Sequence, residues 1–121
     1  MNRIVFVPNP HVRLDRPWRT PYLPFELLAV MGVAEQSGAL ATLFDVNHLV
    51  ERGEITVDPF MWGKAAARLA QDRPDIVVME TWTGTLHHTL LLARALCLLL
   101  HFRGRWRARL PVEPSGRCAW H

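Results

Sequence analysis

The segment that decides the fold reads Pro74-Asp75-Ile76-Val77-Val78-Met79-Glu80-Thr81-Trp82-Thr83-Gly84. Its apolar residues run from Ile76 to Met79 without alternation, which is typical of a strand covered on both faces in a parallel sheet. A polar cluster follows this run, and a helical pattern begins at Leu86. A strand, a polar turn and a helix in this order place ligand-facing groups at the carboxyl edge of a sheet, where open α/β folds bind their ligands.

Patterns before and after this segment predict five further elements. They are a strand from Arg3 to Val7 closed by Pro8, a helix over Tyr22–Gln36 ended by Gly38, a strand over Ala39–Phe44, a helix from Asp58-Pro59 to about Gln71, and a helix from Leu86 to about Leu100. Leu49 to Val57 is predicted to be a connecting segment. Gly32, inside the first helix, suggests close packing against the sheet.

The order β-α-β-α-β-α predicts an α/β fold with a parallel sheet, right-handed crossovers and helices on both faces. In the flavodoxin-like order, the first strand lies between the second and the third. Residues 101–121 show no clear strand or helix, so the domain is expected to span 1–100 and to be incomplete at its C-terminus, followed by a basic, irregular tail. A truncated or frame-shifted product is one hypothesis. The third strand would then be an exposed edge, which predicts self-association or a partner domain that adds strands.

Composition excludes several classes of function. The net charge of +3 comes from the tail, because residues 101–121 carry five Arg and one Glu. The tail lacks a recognisable nucleic-acid motif, so nucleic acid is not the expected partner. The longest apolar stretch, Leu86 to Leu100, contains His87, His88 and Arg94, which argues against a membrane span. Cys97 and Cys118 form no metal motif, and such sparse cysteine use indicates a reducing cytoplasm.

Familiar catalytic motifs are missing. The first βα loop has no glycine, and neither a G-x-G-x-x-G fingerprint nor a P-loop pattern occurs. His87 and His88 are adjacent and point about 100° apart on a helix, so they do not make a shared metal site. One of them faces either a ligand or a neighbouring loop. His11 and His48 lie in loops at the same edge, but no spacing requires a metal, and we predict neither a metal site nor catalytic residues.

Two positions at the carboxyl edge have open interpretations. Asp45, after the second strand, is placed either to hold a ligand hydroxyl or amide or to cap a turn or helix. Trp82, between two threonines, offers either a flat surface for a large ring ligand or a cap on the core. The proline-rich loop over residues 9–21, with its three arginines, is either a ligand contact or a solvated lid.

Three motifs together resemble the N-terminal cobalamin-binding domain of B12-dependent radical SAM enzymes. They are Pro8-Asn9-Pro10 followed by Pro21-Tyr22-Leu23-Pro24-Phe25-Glu26, then Gln36-Ser37-Gly38 with Phe44-Asp45-Val46-Asn47, and finally Pro74-Asp75-Ile76-Val77-Val78 with Thr81-Trp82-Thr83. The resemblance covers roughly residues 3–96. It implies a Rossmann-like domain that holds cobalamin over the strand ends, through Pro8, Asn9, Asp45, Val46, Asn47, Thr81, Trp82, Thr83 and Gly84.

Two departures from that family limit what the resemblance implies. His48 does not match the D-x-H-x-x-G motif that supplies an axial histidine. The Cys-x-x-x-Cys-x-x-Cys motif is missing, so no iron–sulfur cluster and no radical chemistry are expected of this chain alone. The expected partners are cobalamin and a separate radical SAM domain. The alternatives are a cofactor-free flavodoxin-like interaction or regulatory domain, and a non-functional fragment.

Overall fold

A computed structural model describes residues 2–10 and 24–102 of the chain, with side chains up to Leu99. The described part is an α/β structure whose parallel sheet has three strands in the order β2-β1-β3. The strands are β1 (Arg3–Val7), β2 (Leu40–Leu43) and β3 (Ile76–Met79). The helices are α1 (Phe25–Gln36), α2 (Val46–Glu51), α3 (Met61–Gln71) and α4 (Leu86–Phe102). The predicted Rossmann-like, flavodoxin-like α/β arrangement is confirmed.

The centre of the sheet is β1, because β1 pairs with both other strands. Val5, Phe6 and Val7 are each only 1% exposed. Val5 and Val7 belong to a buried cluster with residues of α3 and α4, including Leu69 and Leu92. Phe6 is not in that cluster, and the pleat turns it to the opposite face.

Helices cover both faces of the sheet, as the chain order predicts. The α3 helix packs against α4 and puts Met61, Ala65, Ala66, Leu69 and Ala70 into the core. The α1 helix contacts β1 and β2 and contributes no residue to that cluster, so it lies on the Phe6 side. Full burial of a leucine side chain contributes about 1.5–3 kcal/mol, so this two-sided packing is the main stabilising term.

Several predicted boundaries were wrong. The α1 helix begins at Phe25, after Pro24, and the predicted residues Tyr22 and Leu23 lie outside the described residues. The predicted connecting segment Leu49–Val57 begins within a helix, because α2 runs from Val46 to Glu51. A helix this short has too few residues for its periodicity to stand out.

The other corrections concern α3 and α4. The α3 helix begins at Met61, not at Pro59, because the Asp58 carboxylate accepts a hydrogen bond from the Phe60 amide at 2.7 Å and forms a turn before the helix. The α4 helix continues to Phe102, two residues into the predicted irregular tail. The remainder of that tail, and the loop residues 11–23, lie outside the described residues. No helix in the described ranges has both the length and the apolar character needed to cross a membrane.

The end of α1 shows which glycine the fold needs. Gly38 has φ +91°, and its amide donates to the Glu35 carbonyl at 3.0 Å while the Ala39 amide donates to the Ala34 carbonyl at 3.2 Å. This is a Schellman end, which needs the left-handed conformation. A Cβ at Gly32 would meet nothing within 4 Å, so the suggestion that Gly32 permits close packing was wrong.

These two glycines predict stability changes of opposite sign. Gly32→Ala should raise the free energy of unfolding by about 1 kcal/mol, since alanine favours the helix and clashes with nothing. Gly38→Ala should lower it by about 1 kcal/mol, since a Cβ is strained at positive φ. Urea denaturation followed by circular dichroism measures both. A loss of stability in Gly32→Ala would contradict the open surroundings of that position.

Candidate functional site

The carboxyl edge of the sheet is where three chain segments meet. Pro8, Asn9 and Pro10 follow β1, Asp45 leads from β2 into α2, and residues 80–85 join β3 to α4. The chain reverses its direction of progress between β1 and β3, because β2 lies on one side of β1 and β3 on the other. Open α/β sheets bind ligands at such a switch point. The segments after β1 and β3 are therefore the candidate site.

Asn9 links these segments. It is fully buried, and its carbonyl oxygen accepts a hydrogen bond from the Asn47 side-chain amide at 3.0 Å. Its own amide donates to a Glu80 carboxylate oxygen at 3.4 Å, and its side-chain oxygen accepts from the Thr85 hydroxyl. A buried polar group is tolerated only when its hydrogen bonds are made, so these contacts hold the three segments in one arrangement.

Asp45 acts as the N-cap of α2. Its carboxylate accepts hydrogen bonds from the Asn47 amide at 3.0 Å and from the His48 amide at 3.4 Å. The capping interpretation of Asp45 is therefore confirmed, and a role with a ligand stays a prediction. By starting α2 at Val46, which is fully buried, the cap also directs the Asn47 side chain towards Asn9.

The exposed part of the site is the segment Thr81–Gly84. Trp82 is 48% exposed, and Thr81, Thr83 and Gly84 are exposed as well. A single 3-10 turn at Thr83–Thr85 supports the segment, with the Thr85 amide donating to the Trp82 carbonyl at 3.0 Å. From α4, the Thr89 hydroxyl donates to the Thr81 hydroxyl at 3.1 Å. The segment thus presents a half-exposed indole ring and two hydroxyl groups on a supported backbone.

Of the two adjacent histidines, His88 packs within the protein and His87 is exposed. The ring of His88 stacks on Trp62 of α3, with centroids 5.2 Å apart, and its Nδ1 lies 3.3 Å from the Pro10 carbonyl oxygen. One of the two interpretations of the pair, contact with a neighbouring loop, is confirmed for His88. His87 is exposed beside it. Within residues 2–10 and 24–102, no group of three potential metal-ligating side chains occurs, and His11 lies outside those ranges.

The predicted site residues fall into two sets. The first set supports the loops of the site from inside the protein. Pro8, Asn9 and Val46 are buried, and Asp45 and Asn47 are half-buried and make hydrogen bonds within the protein. The second set, Thr81, Trp82, Thr83 and Gly84, faces solvent. Only the second set offers a ligand an open surface in this structure.

Sequence reasoning missed the support that α3 and α4 provide. Thr85 ends the turn before α4 and Thr89 lies in the first turns of α4, and their hydroxyls bond to Asn9 and to Thr81 at the carboxyl edge. Two threonines just after the predicted strand end were visible in the sequence, although their partners were not. The stacking of Trp62 on His88 was not detectable, since it joins elements whose relative placement only packing decides.

No family model matches this chain, and neither a curated protein nor a solved structure matches it. The structure therefore supports the fold class. A functional interpretation of the chain depends on the geometry of the carboxyl edge of the sheet.

The hydrogen bond between Asn9 and Thr85 predicts that substitutions at these two residues have non-additive effects on the free energy of unfolding. Thr85→Val removes the hydroxyl that donates to Asn9 and should lower the free energy of unfolding by about 1 kcal/mol, while Thr85→Ser should retain most of the stability. Combining Thr85→Val with Asn9→Ala completes a double-mutant cycle, measured by urea denaturation. The coupling energy should be about 0.5–1.5 kcal/mol, and strictly additive effects would show that the bond does not join the two loops.

Proposed function

We propose that this chain is a cobalamin-binding module related to B12-dependent radical SAM enzymes. The observation that carries the proposal is the half-exposed ring of Trp82, which follows β3 at the switch point of a Rossmann-like sheet. Apolar rings beside a few polar groups are typical of cofactor sites. The motif resemblance set out above supplies the class of cofactor.

The exposed groups fit a corrin in chemical terms. A corrin is a large, nearly flat ring with amide side chains around its edge. The Trp82 indole offers a flat apolar surface, and the exposed Thr81 and Thr83 hydroxyls can pair with amides. Gly84 is exposed and has no side chain that would stand between a ligand and the backbone. These four residues would hold the cofactor, while Asn9, Asp45 and Asn47 fix the loops beneath it.

The module's proposed task is binding and positioning. Cobalamin supplies the cobalt-centred methyl chemistry when it is bound. The sequence contains only Cys97 and Cys118 and therefore lacks the three-cysteine cluster motif, so we assign the radical step to a separate radical SAM domain as partner. The His48 amide donates to Asp45 at the start of α2, and the proposal does not use the His48 ring as an axial ligand. Sparse cysteine use suits a reducing cytoplasm as the setting.

A cofactor-free interaction domain is the second candidate, and the surface of α1 favours it. Phe25 is 73% exposed and Val33 66% exposed, and Val30 is exposed beside them. A helix that is apolar on nearly all sides is usually covered on nearly all sides. A regulatory or scaffold function would use this face and would need no corrin.

Retention of hydroxocobalamin distinguishes the two candidates. The purified 121-residue chain, incubated with the cofactor and desalted, should keep the visible corrin bands at a stoichiometry approaching one. A well-folded protein that keeps no corrin would favour the interaction domain, and an aggregating protein would favour the hypothesis of a non-functional fragment.

Trp82→Ala tests the assigned surface. The variant should reduce corrin retention by up to about tenfold, because a stacked aromatic contact contributes about 0.5–1.5 kcal/mol beyond its buried area, and about 1.4 kcal/mol is a tenfold change in affinity. Val33→Ala is the matched control, since it trims an exposed apolar side chain in the last turn of α1, at the opposite edge of the sheet. Unchanged retention in Trp82→Ala would remove this ring from the site, and an equal loss in both variants would indicate damage to the fold.

A further inference from the structure

The side of α1 that faces away from the sheet is apolar. Phe25, Ala29 and Val33 follow one another at a spacing of four residues, so they form a ridge along the helix, and all three are exposed. Phe25 is 73% exposed, Val33 is 66% exposed, and Val30, beside the ridge, is 55% exposed. Of the large apolar side chains in the described ranges, only Phe60 is as exposed as Phe25. A contiguous apolar surface of this kind marks an interaction site.

The ridge has a fixed position and a shape that suits a crossing helix. The opposite side of α1 contacts β1 and β2 and buries Leu27, so the helix is anchored on the sheet. Phe25 and Val33 lie about 12 Å apart along the axis, with the small Ala29 between them. A second helix can cross over Ala29 between the two larger side chains, as in ridges-into-grooves packing at about −50°.

The charge along α1 has one sign. Glu26 lies in the first turn and Glu35 in the last turn, and both are exposed. From Pro24 to Asn47 the sequence contains no Lys, Arg or His. The ion pairs made by Lys64 and Arg68 involve α3, on the other face of the sheet. The helix therefore offers negative charge at both ends of its apolar ridge.

This charge disfavours a second copy and a lipid surface as the occupant. If two copies paired through α1 in antiparallel fashion, Glu26 of one copy would approach Glu35 of the other, and a parallel pair would bring identical carboxylates together. Helices that lie on anionic lipid carry Lys and Arg on their polar face, and α1 carries neither.

We propose that α1 docks an amphipathic helix of a protein partner. The partner helix packs its apolar stripe over Phe25, Ala29 and Val33 and places Lys or Arg beside Glu26 and Glu35. This is the helix-in-groove type of recognition, in which apolar anchors supply the affinity and the charges supply the orientation. The inference rests on the interaction function given above as the second candidate, and it does not depend on corrin binding.

A synthetic peptide serves as the probe in place of the partner. It is a helix of about 18 residues with leucine on one face and lysine elsewhere, and its counterpart has glutamate in place of lysine. In fluorescence anisotropy at physiological salt, the 121-residue chain should bind the lysine peptide at least about tenfold more tightly than the glutamate peptide. The amide chemical shifts that change on binding should lie along Phe25–Gln36. Equal affinity for the two peptides, or shifts centred on other elements, would overturn the proposal.

Phe25→Ser and Phe60→Ser form a matched pair of variants. The two phenylalanines are 73% and 75% exposed, and Phe60 precedes α3 on the other side of the sheet. Phe25→Ser should weaken binding of the lysine peptide by about tenfold, because an aromatic anchor is lost, and Phe60→Ser should leave it unchanged. Equal losses in the two variants would show non-specific adsorption and would contradict a docking site on α1.

Glu26→Gln combined with Glu35→Gln tests the charge. The double variant should bind the lysine peptide about three- to tenfold more weakly and should lose most of the salt dependence of binding. Unchanged binding would contradict the basic character of the partner. A dimer in sedimentation that disappears in Phe25→Ser would show that a second copy is the occupant.

Corrin retention, measured on the same protein, separates this proposal from the first candidate function. A chain that binds the lysine peptide and keeps no corrin would contradict only the cobalamin proposal. A chain that keeps corrin and prefers neither peptide would contradict only the docking of a basic helix.

Discussion

The structure depends on the burial of β1 from both sides. Val5, Phe6 and Val7 lie between two neighbouring strands and two layers of helix, and all three are almost fully removed from water. Because successive side chains of a strand point to opposite faces, no single helix layer can cover this run. The chain must place α1 on one face and α3 with α4 on the other. Because the strands are parallel, all the loops that follow them lie at the same edge.

The geometry of that edge follows from one buried polar residue. Asn9 follows the buried strand after Pro8 and is fully buried, so its polar groups must find partners in the neighbouring segments. Its contacts with Asn47, Glu80 and Thr85 make the β1 loop the common support of the other two segments. The exposed Thr81–Gly84 segment is in this way held on a rigid base, a property that ligand sites require.

The fold was largely predictable because its signals are local. The β-branched runs, the glycine after α1 and the order of elements each report backbone preferences that tertiary contacts did not override. The errors concern short or capped elements. Asp45 starts a helix of six residues, too short to show a period, and Asp58 forms a turn one step before α3 begins.

The sequence alone determined the α/β class, the central place of β1 and the edge at which the loops gather, since periodicity and chain order suffice for these. Only the tertiary structure decided which residues at the carboxyl edge of the sheet face solvent. Asn9 and Trp82 both follow strands at the carboxyl edge, yet Asn9 is buried and bonded to two other segments while Trp82 is about half exposed. The reason is that hydrogen bonds such as Thr85 to Asn9, and stacking such as Trp62 on His88, join residues far apart in the chain. No local pattern carries their relative positions. The run Ile76–Met79 shows the same division, because its apolar character marked it as a strand, while its pairing with β1 and not with β2 was decided by tertiary packing.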